Sequence, residues 1–237
     1  AVFAAGRTYD QIRNSVAYPG LNVKIIGSHA GLTVGEDGAS HQCIEDISLM
    51  RTIPKMTVIV PCDSHETRLA TKAVLEYEGP CYLRTGRCAL DCVTDNFENY
   101  KFEIGKGVQL ADGTDVTIIA CGLMVQESLK AEKILEAEGI NARVIDMHTI
   151  KPIDRDIIIK AAKETGAIVT AEEHNVIGGL GGSVSEVIVG TEPVPIEFIG
   201  VEDKFGHSGA PKELLESFGL TPEHIAAAAK HAIQRKK

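Results

Sequence analysis

Long apolar runs, an excess of basic residues, patterned cysteines and internal repeats are all missing from this sequence, and each absence removes a class of protein. No apolar stretch approaches the ~20 residues of a membrane-spanning helix. No signal peptide is visible at the start, so cytoplasmic residence is the expectation. Lys and Arg number 24 against 33 Asp and Glu, a formal net charge of −9. Nucleic-acid binding needs a concentrated basic surface, so a broad phosphate-backbone footprint is excluded. The basic tail from Arg235 to Lys237 reads as solubilising. None of the 6 cysteines stands in a C-x-x-C pair, and no second pair with zinc-like spacing follows Cys88 and Cys92. Scattered cysteines of this kind read as reduced thiols.

What is present is a chain of 237 residues, 44% apolar and 24% charged, with room for two domains of ordinary size. Short β-branched apolar runs at 23–26, 56–60, 81–83, 116–120, 142–145, 167–170 and 196–199 predict strands. Their near-continuous apolar character suits parallel strands covered on both faces. Helical patterns fill 64–78, 124–138 and 154–165, and Gly139 and Gly166 follow the last two, where a left-handed residue ends a helix at little cost. A shorter helix-like stretch runs from Thr8 to Val16. The alternation predicts an α/β architecture with two parallel or mostly parallel sandwich domains. A Gly-, Asn- and Asp-rich break at 93–114 marks the junction, giving a first domain over 1–98, a linker over 99–114 and a second domain over 115–237.

Chemistry concentrates between Gly27 and Glu45, GSHAGLTVGEDGASHQCIE, which follows a strand and precedes a helix. In parallel α/β sheets ligands gather at the carboxyl ends of strands. Gly31, Gly35 and Gly38 permit tight turns and close approach. The same residues also suit a solvated polar loop. A metal site from His29, Asp37 and His41 matches no standard ligand spacing, and a nucleophilic Cys43 near His41 has no further support. A second cluster, Glu172, Glu173 and His174 before the glycines at 178–182, lacks G-x-G-x-x-G and reads as structural.

G-S-H-A-G-x-x-x-G-E-D-G-x-S-H-Q resembles the pyrimidine-domain motif of transketolases. So do the stretches Arg7 to Arg13, Leu49 to Pro54 and Tyr82 to Thr85, while Val144 to Asp154 and Val169 to Gly179 resemble the transketolase C-terminal domain. The likeness covers essentially the whole chain in order.

That resemblance implies a thiamine-diphosphate enzyme transferring a two-carbon ketol unit from a ketose phosphate to an aldose phosphate. Asp37 and His41 would face the sugar hydroxyls, His29 and Arg84 would clamp the substrate phosphate, and Phe3 and Arg7 would border the aminopyrimidine. His41 can donate or accept a proton near neutral pH, and the Arg fork suits phosphate. No pyrophosphate domain with its G-D-G signature occurs here, so Mg2+ or another divalent cation, and the diphosphate, are expected on an N-terminal transketolase subunit. Self-association through the C-terminal domain is expected as well. The carboxylate that activates the cofactor would precede Phe3, so the isolated chain is expected to be inactive. Deoxyxylulose-phosphate synthase and the beta subunit of a 2-oxoacid dehydrogenase share these domains, and a non-catalytic interaction module is the reading of another class.

Overall fold

The apolar runs become strands because most of their side chains find cover on the faces of a sheet, completely in the central strands and in part at the edges. In the computed structural model, which describes residues 1–97 and 100–236, they form two sheets. The 98/99 boundary set between first domain and linker lies outside the described residues. The first sheet has the order β1-β3-β2-β7, from Lys24–Gly27, Cys81–Arg84, Thr57–Ile59 and Thr149–Lys151. The second has the order β4-β6-β5-β8-β9, from Val108–Ala111, Ala142–Asp146, Val116–Ala120, Ile168–Asn175 and Ile196–Val201. Within each sheet the neighbours are parallel except for β7 on β2 and β4 on β6.

Two strands were not foreseen. β4 lies inside the stretch read as a linker and belongs to the second sheet. β7 is a three-residue piece that crosses between domains. It leaves the second unit, in sequence, to pair antiparallel with β2 at Val58↔Lys151 and Ile59↔Thr149. The apolar interior crosses the junction too: one cluster joins Ile47, Met50, Val58 and Tyr82 to Ile119, Ile145, Leu180 and Val184.

The helices pack on the sheet faces. α1 (Tyr9–Gln11) is a short piece between two wider-wound turns, Phe3–Arg7 and Ile12–Ala17, so the stretch from residue 3 to 17 is irregular throughout. α2 (Asp46–Thr52) follows the candidate loop. α3 (Ser64–Glu76) starts at Asp63, whose carboxylate accepts the Glu66 N–H at 2.8 Å and also the N–H groups of Val93 and Thr94. α4 (Met124–Ala137) and α5 (Arg155–Thr165) match the predicted helices, and Gly166 closes α5 at φ 67°. α6 (Leu180–Val189), α7 (Pro211–Ser217) and α8 (Pro222–Gln234) complete the second domain. No helix among the described residues is long and apolar enough to cross a membrane.

Candidate active site

β1 and β3 end level with each other, Gly27 beside Arg84, so the connections that follow them leave side by side. The first is tied to the second through Ala30 N–H to Thr85 O at 3.2 Å and closes on itself through Gly31 N–H to Cys43 O at 2.8 Å. Leu32, Thr33 and Val34 point into the protein and are buried, which turns Glu36, Asp37, Ser40 and His41 outward. His29 is exposed and holds φ +59°, a left-handed conformation that a side chain other than Gly, Asn or Asp seldom adopts.

Several of the predicted residues meet at this turn. His41 approaches the Phe3 ring edge-on at 5.2 Å between centroids, and the Arg7 guanidinium lies 4.6 Å from the centre of the same ring. Ser40 Oγ is 3.0 Å from His41 Nδ1, which orients the imidazole and leaves Nε2 free of that bond. A residue absent from the sequence reading joins them. Arg87 reaches Glu36 at 3.5 Å and Asp37 at 3.7 Å, donates to Val34 O, and is 42% exposed in its side chain. Its loop, Thr85 to Leu90, forms one wall of an open groove of about 480 Å³ against Pro61 to Ser64.

Arg84 departs from expectation. It was read as a phosphate clamp with His29, but its side chain turns inward and is 5% exposed. Its Nε donates to Asp46 Oδ2 at 2.9 Å, and its Nη2 donates to the carbonyls of Glu173 at 2.9 Å and Cys43 at 3.3 Å. Tyr82 Oη donates to the same Asp46 oxygen at 2.7 Å. Burial, the largest single influence, would raise the Asp46 carboxyl; the Arg84 charge, His174 and the hydrogen bonds from Arg84 and Tyr82 together outweigh it and hold the group below its ordinary value. Two arginines stand three positions apart, Arg84 closing β3 and Arg87 just beyond it, and a strand end cannot reveal which turns inward. The signal that could have separated them is Asp46, an acidic residue set among apolar neighbours in IEDISLM.

Behind Arg84 lies the cluster read as structural. His174 Nδ1 pairs with Asn175 O at 2.6 Å, and Ser48 N–H donates to Nε2 at 3.3 Å, which fixes a neutral imidazole with its proton on Nδ1. Burial accordingly lowers His174 to about 4. Glu172 accepts the Leu180 and Gly181 N–H groups at the start of α6, yet burial raises it to about 7. Between roughly pH 4.5 and 6.5 the unfolded chain holds His⁺ and Glu⁻, whereas the folded chain holds both neutral, so each state binds one proton and the pair contributes no pH slope. Single substitutions unmask the two halves. Glu172→Gln should lose stability as pH falls from 6.5 towards 4, and His174→Gln should gain it as pH falls from 7 towards 4.5, each by roughly 3 kcal/mol. Urea titrations across that range read the slopes directly.

At the domain seam Cys62, Glu66 and Asp146 bring one ligand atom each within 4.8 Å of one another. The Cys62 thiol donates to Asp146 at 3.5 Å, Tyr100 Oη donates to Glu66, and burial together with Glu66 pushes the Asp146 carboxyl well up. A shared proton thus accounts for the cluster.

The comparisons with known proteins agree with this architecture. The pyrimidine binding domain of transketolase matches residues 1–91, and the transketolase C-terminal domain matches residues 105–225. The fold and the polar loop define the two-domain section typical of thiamine-diphosphate-dependent transferases. The chain belongs to the transketolase family. A chain from Methanocaldococcus jannaschii named for a transketolase C-terminal section is 50% identical over 95% of this chain and 71% of its own length. The 6-deoxy-6-sulfo-D-fructose transketolase subunit SqwH of a Clostridium species is 45% identical over 99% of this chain and 72% of its own. The solved structure of a split gene transketolase, described as an inactive beta4 tetramer, is 50% identical and superposes at a TM-score of 0.92, covering 100% of this chain and 75% of that one.

Proposed function

We propose that this chain is the pyrimidine-side subunit of a split transketolase, moving a two-carbon ketol unit from a ketose phosphate to an aldose phosphate. The observation that carries the reading is the convergence of Asp37, His41, Arg87, Phe3 and Arg7 on one turn at the carboxyl end of the first sheet. These residues fit thiamine diphosphate. Phe3 is 45% exposed, with the Arg7 guanidinium over its ring and the His41 ring perpendicular to it, a part-open apolar plate bordered by N–H donors that suits a flat nitrogen heterocycle. When bound, the cofactor supplies the electron sink for carbon–carbon cleavage.

The chain's own residues bind and orient the sugar. Asp37 accepts a hydrogen bond from a sugar hydroxyl, and His41, held through Ser40, exchanges a proton with the neighbouring hydroxyl at Nε2. Arg87 binds the substrate phosphate, and exposed His29 borders the same mouth. Mg2+ and the diphosphate sit on the partner's pyrophosphate domain. The split, four-chain assembly of the solved relative supports both that partner and self-association of this chain. All six cysteines stand free, which suits a reducing cytoplasm.

The test is reconstitution. The purified chain alone should show no turnover of a ketose phosphate, whereas its full-length form, carrying the activating carboxylate expected before Phe3, should turn it over without pyruvate once a pyrophosphate-domain subunit, thiamine diphosphate and Mg2+ are added. Turnover only when pyruvate is supplied would reject the transketolase reading, and turnover by the chain alone would reject dependence on a partner.

A further inference from the structure

The loop that carries Asp37 and His41 is shaped by the second domain. Its three glycines in left-handed conformations are the points where that domain touches it. At Gly31, φ +85°, a Cβ would stand 2.2 Å from the Glu173 carboxyl carbon. At Gly38, φ +73°, it would stand 2.6 Å from Ser208 Oγ, and at Gly35, φ +85°, 3.4 Å from Gly209 and Pro211. Glu173, on β8, also accepts the Thr33 N–H at 2.6 Å. One end of the loop is therefore pinned to β8 and the other to the segment leading into α7.

Gln42 closes the second anchor. It is 4% exposed, and its Nε2 donates to His207 O at 2.9 Å, to Leu32 O at 3.1 Å and, more weakly, to Gly35 O at 3.3 Å. A single amide thus ties both limbs of the loop to the second domain. Position 206 must be glycine for this to happen, because a Cβ there would fall 1.9 Å from Gln42 Oε1. His41 and Gln42 both donate their N–H groups to Gly38 O, so the turn between Asp37 and His41 hangs directly from this contact.

We infer that Gln42, latched onto the Gly206–Ser208 segment, is a positioning residue through which the C-terminal domain holds Asp37 and His41 in their substrate-binding arrangement. The inference deepens the transketolase reading and rests on it for the kinetic half of its test. Gln42→Met keeps the side chain's volume and removes its donors, while Gly206→Ala attacks the same contact from the other side. In the chain alone, both should speed hydrogen exchange of the amides of residues 33–41 about tenfold, with β1 and β2 amides unchanged. In the complex with the pyrophosphate-domain subunit, both should raise KM for the ketose phosphate about tenfold, with cofactor affinity unchanged. Unchanged exchange at 33–41 would overturn the latch. So would a uniform rise in exchange that includes the strands, which would make Gln42 a general stabiliser. If the unsubstituted complex fails to turn over, the transketolase reading falls while the exchange result still decides the latch. If local exchange rises but KM in an active complex does not, the positioning role is overturned.

Discussion

Replacing Arg84 with methionine should destabilise the protein by roughly 3–5 kcal/mol, the range for removing one partner of a buried ion pair. In a chain of this size that corresponds to a fall in thermal midpoint of roughly 10 °C. Asp46 is 0% exposed, and without Arg84 it retains only the Tyr82 hydroxyl as a partner at its Oδ2. The Cys43 and Glu173 carbonyls lose a donor at the same time. The pH dependence identifies the cause. In the unsubstituted protein Asp46 titrates below its ordinary value, so its contribution is full above about pH 4 and is lost as pH falls through the lowered value. In Arg84→Met the buried carboxyl takes up a proton more readily than the unfolded one, so the deficit should shrink on acidification from pH 7 towards 5. Arg84→Met/Asp46→Asn should recover part of the loss at neutral pH, because no unpaired charge then remains. Denaturant titrations of the four forms give the coupling. Additive losses would remove the pair from its central place in the domain seam.

Arg87→Ala should act on catalysis and leave the fold intact. It is half-exposed and meets only exposed carboxylates and one carbonyl. Pairs of this kind contribute about 0–1 kcal/mol to stability. In the reconstituted complex, kcat/KM for a ketose phosphate should fall roughly 10- to 100-fold, as expected for losing charge-assisted bonds to phosphate. An unphosphorylated ketose should lose less than about threefold, since the reacting carbons are untouched. Equal losses on both substrates would remove Arg87 from phosphate recognition. The same pair of substrates tested on Arg84→Lys should show no phosphate-specific effect, and a selective loss there would return the role to Arg84.

The sequence made most of the frame legible for a physical reason. β1, β2, β3, β5, β6, β8 and β9 are apolar runs, buried in β2, β3, β5, β6 and nearly all of β8 and half-buried in the edge strands β1 and β9, and that apolar character is local, so a short window detects them. β4 and β7 escape because they are antiparallel edge strands whose existence depends on a distant partner. Lys151 is strand only because Val58 lies beside it. The candidate loop was conspicuous from its density of Gly, His and carboxylates. The direction of Arg84 was not, since it is set by Asp46 and by carbonyls up to 89 positions away. Gln42 was passed over for the same reason: its acceptor on His207 lies 165 positions along the chain.

β7 also constrains how such a chain can be divided. A break between the two matched regions, anywhere from 92 to 104, would fall between the domains along the sequence but not in space. The upstream fragment would carry β2 with an open edge, its Val58 and Ile59 backbone groups stripped of a neighbour and poised for self-association. Gene fission or domain exchange at that point therefore yields two mutually dependent fragments, and recombination should preserve the pair as one heritable block.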